Sequence, residues 1–180
     1  MPRVKLIHTG GTLGMVRRDG SWEPRTGELA GLLAGLPELR DPLLPEWEFY
    51  EFDELLDSSN VGPPEWREIA ATIHRRSADC DGFVVIHGTD TLAYTASALS
   101  FMLEGLDRPV VVTGSQLPLV HPRTDARENL VTSMMIAASS RIPEVCVYFN
   151  GRLLRGNRAT KTDTSGFIAF DSPNCPPLGS

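Results

Sequence analysis

Short, continuous apolar runs alternate with amphipathic stretches along this chain, and that alternation constrains the fold more than any other feature. Val4 to His8, Phe83 to His87, Val110 to Thr113 and Val145 to Phe149 read as buried strands, and Glu46 to Phe52 alternates like a strand. Between them the spacing predicts helices over Gly27 to Gly35, Pro63 to Ala78, Thr91 to Leu103 and Asp125 to Ser140. In the second of these, Trp66, Ile69, Ala70 and Ile73 share one face and Pro63-Pro64 suits the first turn. Asp125 and Glu128 have the spacing of a capping box. Strands separated by helices pair in parallel, so the expected fold is α/β: a mostly parallel sheet with helices on both faces. Asn150-Gly151 fits a type I′ turn, which predicts a β-hairpin into Arg152 to Leu154 near the C-terminal part. Two polar segments, Val16 to Thr26 and Gly156 to Gly166, read as mobile loops.

The 180 residues fit one domain, 1–180, long enough to bury a core. Hydrophobic residues make up 41% and charged residues 22%, as in ordinary water-soluble domains. No apolar run reaches the ~18 residues of a membrane helix, and no secretory leader precedes the first strand, so a cytoplasmic protein with no membrane partner is expected. The net charge of -6 disfavours nucleic acid, which needs clustered Lys and Arg. The densest basic stretch, Arg152, Arg155, Arg158 and Lys161, is broken by Gly156 and Asn157 and reads as a solvated loop. Cys80, Cys146 and Cys175 are widely spaced and form no C-x-x-C, which fits a reduced compartment without disulfides. The four histidines show no ligand spacing, so no metal and no cofactor are expected.

In parallel sheets, ligands sit at the carboxyl ends of the strands. Three strands here end in turns rich in glycine and hydroxyls: Thr9-Gly10-Gly11-Thr12, His87-Gly88-Thr89-Asp90-Thr91 and Thr113-Gly114-Ser115-Gln116. Glycine lets the backbone approach a ligand closely, and hydroxyls and N–H groups can hold polar groups or a developing oxyanion. Each turn alone also fits ordinary strand-to-helix chemistry, and Asp90 fits either a helix cap or a partner for an ammonium group. There is no G-x-G-x-x-G, no G-K-[ST] and no G-x-S-x-G, so neither a nucleotide site nor a serine-hydrolase elbow is supported. His8, near the first turn, reads as a packed or hydrogen-bonded histidine rather than a base.

Together these segments resemble the asparaginase family. HTGGTLGM is similar to its first threonine signature and DGFVVIHGTDTLAYTASALSFML to its second; RPVVVTGSQLPL and YFNGRLLRGNRATK follow in family order. LLDSSN, TASALSFML and SPNCPPL look most like the cytosolic bacterial type I members. The resemblance implies hydrolysis of the side-chain amide of L-asparagine by a threonine nucleophile, with Thr12 as nucleophile and Thr89, Asp90 and Lys161 as the second catalytic group. It implies substrate binding by Gly11, Ser58, Ser59, Gly88, Asp90 and Ser115. A threonine hydroxyl needs a base beside it, and lysine can serve if its pKa falls. Asp90 so close would favour the charged lysine, which would then orient Thr89 and a water. Taken without the resemblance, Lys161 reads as a surface loop lysine.

Two departures bear on activity. Residues 16–26 match the family's flexible active-site flap, and Trp22 stands where the family carries a tyrosine. An indole N–H donates but cannot relay a proton, so turnover is expected to be limited there. Family members also continue into a C-terminal domain that this chain lacks, with 171–180 at the start of the interdomain linker. A homo-oligomer, or a separate C-terminal domain as partner, is therefore expected. Two other functions stay open: a weakly active or inactive amino-acid-binding fragment, and the amidase subunit of a tRNA-dependent amidotransferase.

Overall fold

The computed structural model describes residues 1–139 and 142–180. A six-stranded sheet runs in the order β4-β1-β5-β6-β7-β8. Its strands are β1 (Arg3–Gly10), β4 (Glu46–Leu56), β5 (Gly82–Ile86), β6 (Val110–Thr113), β7 (Val145–Phe149) and β8 (Arg152–Arg155). All neighbours are parallel except β7 and β8, which form the predicted hairpin across Asn150-Gly151, both at positive φ. The other strands are β2 (Met15–Arg18), β3 (Ser21–Pro24), β9 (Thr160–Lys161) and β10 (Phe170–Asp171). The helices are α1 (Glu28–Gly35), α2 (Pro63–Arg76), α3 (Leu92–Met102) and α4 (Ala126–Ala138). The final residue of the last predicted helix, Ser140, lies outside the described residues.

The central strands read as unbroken apolar runs because both faces of the sheet are covered. Phe83, Val85, Val110, Val112 and Val147 pack with Ile69, Ile73, Leu92 and Leu99 of α2 and α3. Val84, Ile86 and Val111 pack on the other face with Leu29, Leu33, Leu130 and Met134 of α1 and α4. The result is a three-layer α/β/α arrangement.

Some local expectations are corrected. Val16 to Thr26 is mostly ordered pairing, not irregular loop: β2 and β3 form a hairpin whose turn, Asp19-Gly20, has positive φ at both residues. Part of the second polar segment is likewise strand, since Lys161 pairs with Phe170. The basic stretch is not simply a solvated loop: Arg152 and Arg155 lie on β8 and pair with Asp171 and Glu144. The capping box at Asp125 and Glu128 does not form. Asp125 has helical φ and ψ, and its carboxylate accepts the N–H groups of Gln116 and Leu117 at 2.9 and 3.0 Å. Thr124 Oγ1 accepts the Ala126 N–H instead. Glu128 is drawn away by the hydroxyls of Tyr148 and Thr132.

Among the described residues, no helix is long and apolar enough to cross a membrane.

Candidate active site

The strand order places the site. The chain leaves β1 toward β4 on one side, and leaves β5 toward β6 on the other. Their carboxyl ends therefore part at a topological switch point, where open α/β sheets hold ligands. The turns meeting there are so close that side chains are excluded. A Cβ on Gly11, at φ 93°, would lie 2.5 Å from the Gly88 backbone, and one on Gly88 would lie 2.4 Å from Ser58 Oγ. Glycine at both positions lets the ends of β1, β4 and β5 interlock.

A cavity of about 410 Å³ opens at this junction, lined by Gly11, Thr12, Ser58, Thr89, Asp90 and Lys161 among others. Lys161 reaches it from β9. Its Nζ donates to Thr89 Oγ1 and to Asp90 Oδ1, both at 2.9 Å. Thr89 is buried and the lysine side chain is 15% exposed, whereas Asp90 is largely open at 63%. One amine thus bridges a hydroxyl and a carboxylate in the cavity that a second threonine, Thr12, also lines from the 3-10 turn it opens after β1. Ser58 Oγ accepts the Asp90 N–H at 3.3 Å, and the Thr91 hydroxyl donates to the Ser58 carbonyl at 2.5 Å.

Not every expected residue reaches the cavity wall. The Ser59 hydroxyl is exposed and turned onto Asp57 Oδ1 at 2.9 Å. Ser115 is buried and its hydroxyl donates to the Leu117 carbonyl at 2.6 Å. Trp22, on β3, lies with its ring 6.2 Å from that of His121, while Met15 and Pro24 of the same hairpin line the cavity. Gln116 is a site residue that sequence pattern does not single out. Its Nε2 donates to the Gly166 carbonyl at 2.9 Å, and its Oε1 lies 3.5 Å from Thr89 Oγ1. It follows Ser115 in the same turn, but composition cannot tell which of two adjacent turn residues points inward. Behind it, Asn129 holds the Gly114 carbonyl and the Asn150 N–H. A larger groove of about 540 Å³ lies near His74 and Arg108, beside residues that precede β5 and β6, away from these groups. Among the described residues, no three His, Cys, Asp or Glu side chains gather as metal ligands.

Two fully buried histidines support the turns. His87 Nδ1 lies 2.7 Å from the Gly88 carbonyl, which can only accept, so Nδ1 carries the proton. Nε2 then accepts from the Thr95 hydroxyl at 3.0 Å, whose oxygen takes the Trp66 indole N–H at 3.0 Å. Burial pushes His87 below the ordinary histidine value of 6.5, and does the same to His8 against the opposing pull of Glu51. Between the folded values and 6.5, the unfolded chain binds more protons. This part of the stability is complete above 6.5 and is lost as pH falls through that window. A melting temperature that declines from about pH 7.5 toward about 5 is the expected scanning-calorimetry result; the carboxyls of Glu48, Asp163 and Asp171, held below their ordinary values by hydrogen bonds, act only at lower pH. A flat profile would contradict it.

Fold and cavity together define the class: a doubly wound α/β domain whose switch point opens into a cavity lined by hydroxyl, carboxylate and amine groups. The chain belongs to the asparaginase family, since residues 3–180 match the family model described as asparaginase, N-terminal. It is 50% identical over 175 residues to L-asparaginase 1 of Escherichia coli strain K12, covering 97% of this chain and 52% of that protein. The crystal structure of L-asparaginase I from Vibrio cholerae superposes with a TM-score of 0.92 at 46% identity, covering 98% of this chain and 53% of that one. A more distant relative, at 34% identity over 99% of this chain and 43% of its own length, is a glutamyl-tRNA(Gln) amidotransferase component of Methanosarcina barkeri. The chain spans about half the length of these curated relatives.

Proposed function

We propose that this chain is the substrate-binding and catalytic domain of a cytoplasmic L-asparaginase that splits the side-chain amide of L-asparagine into L-aspartate and ammonia. The observation that carries the reading is the contact of Lys161 with both Thr89 and Asp90, in the cavity that Thr12 also lines. The Thr12 hydroxyl attacks the amide carbon and passes its proton, through a neighbouring group, to the leaving nitrogen. The C–N bond breaks, ammonia departs and an acyl ester remains on Thr12. Water adds to the ester, helped by the Thr89–Lys161 pair, and releases aspartate. Lys161, a donor to Thr89 and Asp90, serves mainly to orient that hydroxyl and the water. Asp90, the most open of the three, takes the α-ammonium group, and the Ser58 segment with Gly11 and Gly88 takes the α-carboxylate. The side chains and one water molecule balance this reaction, and no step calls on a metal or cofactor.

The exposed apolar side chains Tyr94 and Phe101 on α3 support a homo-oligomeric state or cover by a further domain. The binding-fragment reading draws on Trp22, whose ring lies by His121 and not on the cavity wall. The amidotransferase reading has the more distant relative, and the net charge of -6 offers tRNA no attraction.

Ammonia release measured with L-asparagine, L-glutamine and a blank decides among these. Faster release from asparagine than from glutamine is expected. Saturable asparagine binding by calorimetry with no release above blank would replace catalysis with binding.

A further inference from the structure

A single carboxylate joins the two roots of the β2–β3 hairpin. The hairpin leaves the sheet through the 3-10 turn Thr12–Gly14 and returns through Gly27, just before α1. Under the first root lies His8, fully buried on β1. A Cβ on Gly14 would lie 2.8 Å from His8 Nε2, so the turn rests directly on the imidazole. His8 Nδ1 lies 2.8 Å from Glu51 Oε1. At the second root, the Gly27 N–H donates to the other oxygen, Glu51 Oε2, at 2.5 Å. Glu51 stands on β4, in register with His8, and its side chain is 10% exposed.

The partners dictate the proton positions. A carboxylate only accepts, so His8 Nδ1 carries its hydrogen and Nε2 is a lone pair. Nε2 has no polar partner among the described residues. A proton there would be an unpaired donor pressed against Gly14, which is costly in a buried site.

We propose that Glu51 is the hinge anchor of the hairpin, a positioning residue that fixes both roots of the Thr12–Gly27 segment through His8 and Gly27 and so sets Thr12 at the cavity. The consequence for turnover rests on Thr12 as nucleophile; the consequence for the hairpin does not. Glu51→Gln keeps the shape and breaks the pattern. If the amide oxygen accepts from Gly27, its NH₂ faces His8 Nδ1, and the histidine proton must move to Nε2, where nothing accepts it. If the oxygen faces His8, the NH₂ confronts the Gly27 N–H. Either way a donor is left unpaired.

Amide hydrogen exchange read by mass spectrometry tests this on wild type, Glu51→Gln and Gly14→Ala. The second variant pushes the same turn off His8 without touching Glu51. In both, exchange across Thr12–Gly27 is expected to quicken by about tenfold or more, with β5, β6 and β7 unchanged. Unchanged exchange in that segment, or equal quickening throughout the sheet, would overturn the anchor. In parallel, kcat for asparagine is expected to fall by about tenfold in Glu51→Gln at a temperature where the variant is still fully folded by circular dichroism. Wild-type kcat beside a loosened hairpin would overturn the link to Thr12. Should the wild-type protein release no ammonia, the enzymatic reading fails, and the exchange data still decide the anchor.

Discussion

Thr12→Ala is expected to lower the turnover of asparagine by at least about 100-fold, and Thr89→Val by a similar factor, because loss of a nucleophile or of the group that activates water costs orders of magnitude. Neither side chain holds the fold together. Thr12 opens an irregular turn at the cavity, and Thr89 follows a glycine turn whose backbone is positioned by Ser58 and His87. Melting temperatures near wild type should therefore accompany the lost activity. Ammonia release under saturating asparagine gives kcat, and pre-steady-state acyl-enzyme formation separates the two roles. Thr12→Ala should abolish the acyl intermediate, whereas Thr89→Val should let it form and decay slowly. Retention of more than about a tenth of the wild-type rate by either variant would remove that residue from the chemistry.

Lys161→Met should be the next most damaging change, with kcat down by about 10- to 100-fold, because Thr89 and the water lose the donor that orients them and a small misplacement of a reacting group costs up to about 10²-fold. Methionine preserves the length of the stem, which is mostly buried, and removes the N–H donors to Thr89 and Asp90. KM should change less than kcat, because Asp90 keeps its backbone bond to Ser58 and its open position. Lys161→Arg should recover only part of the rate, since the longer guanidinium carries its donors in a fixed planar fork instead of on one rotatable ammonium that reaches both oxygens at 2.9 Å. A Lys161→Met enzyme with unchanged kcat and raised KM would recast the lysine as a binding group.

The secondary structure was largely legible because buried parallel strands and the helices covering them write strong apolar patterns. Val110 to Thr113 and Val145 to Phe149 match their strands end for end. The failures fall where pattern is weak. β2 and β3 carry polar residues on an exposed hairpin, and the usable signal was the Asp19-Gly20 pair, which tolerates positive φ. Asp125 carried a correct local signal for a helix cap, but a distant turn offered its carboxylate two N–H groups and won it. That competition depends on which loop lies beside the helix, and a linear spacing rule contains no such term.

The same division separates the site's ingredients from its geometry. Residue order was enough to establish the α/β class, the three turns of glycine and hydroxyl at strand ends, and the types of group available to a ligand. These depend on local backbone freedom and on apolar periodicity, both of which are short-range properties. Which groups meet was settled by the assembled fold. Lys161 lies 71 residues from Asp90 along the chain and 2.9 Å from its carboxylate, because β9 is carried back past the start of α3 after the β7–β8 hairpin. Ser115, the expected partner, turns its hydroxyl into its own loop, while its neighbour Gln116 extends toward Thr89. Glu51 carries no signal on an alternating strand, yet it bonds Gly27 at one root of the β2–β3 hairpin and His8 beneath the other, because β4 pairs with β1 in that register. Contacts of this kind arise from strand order and register, which emerge only when the whole sheet assembles and both of its faces are covered.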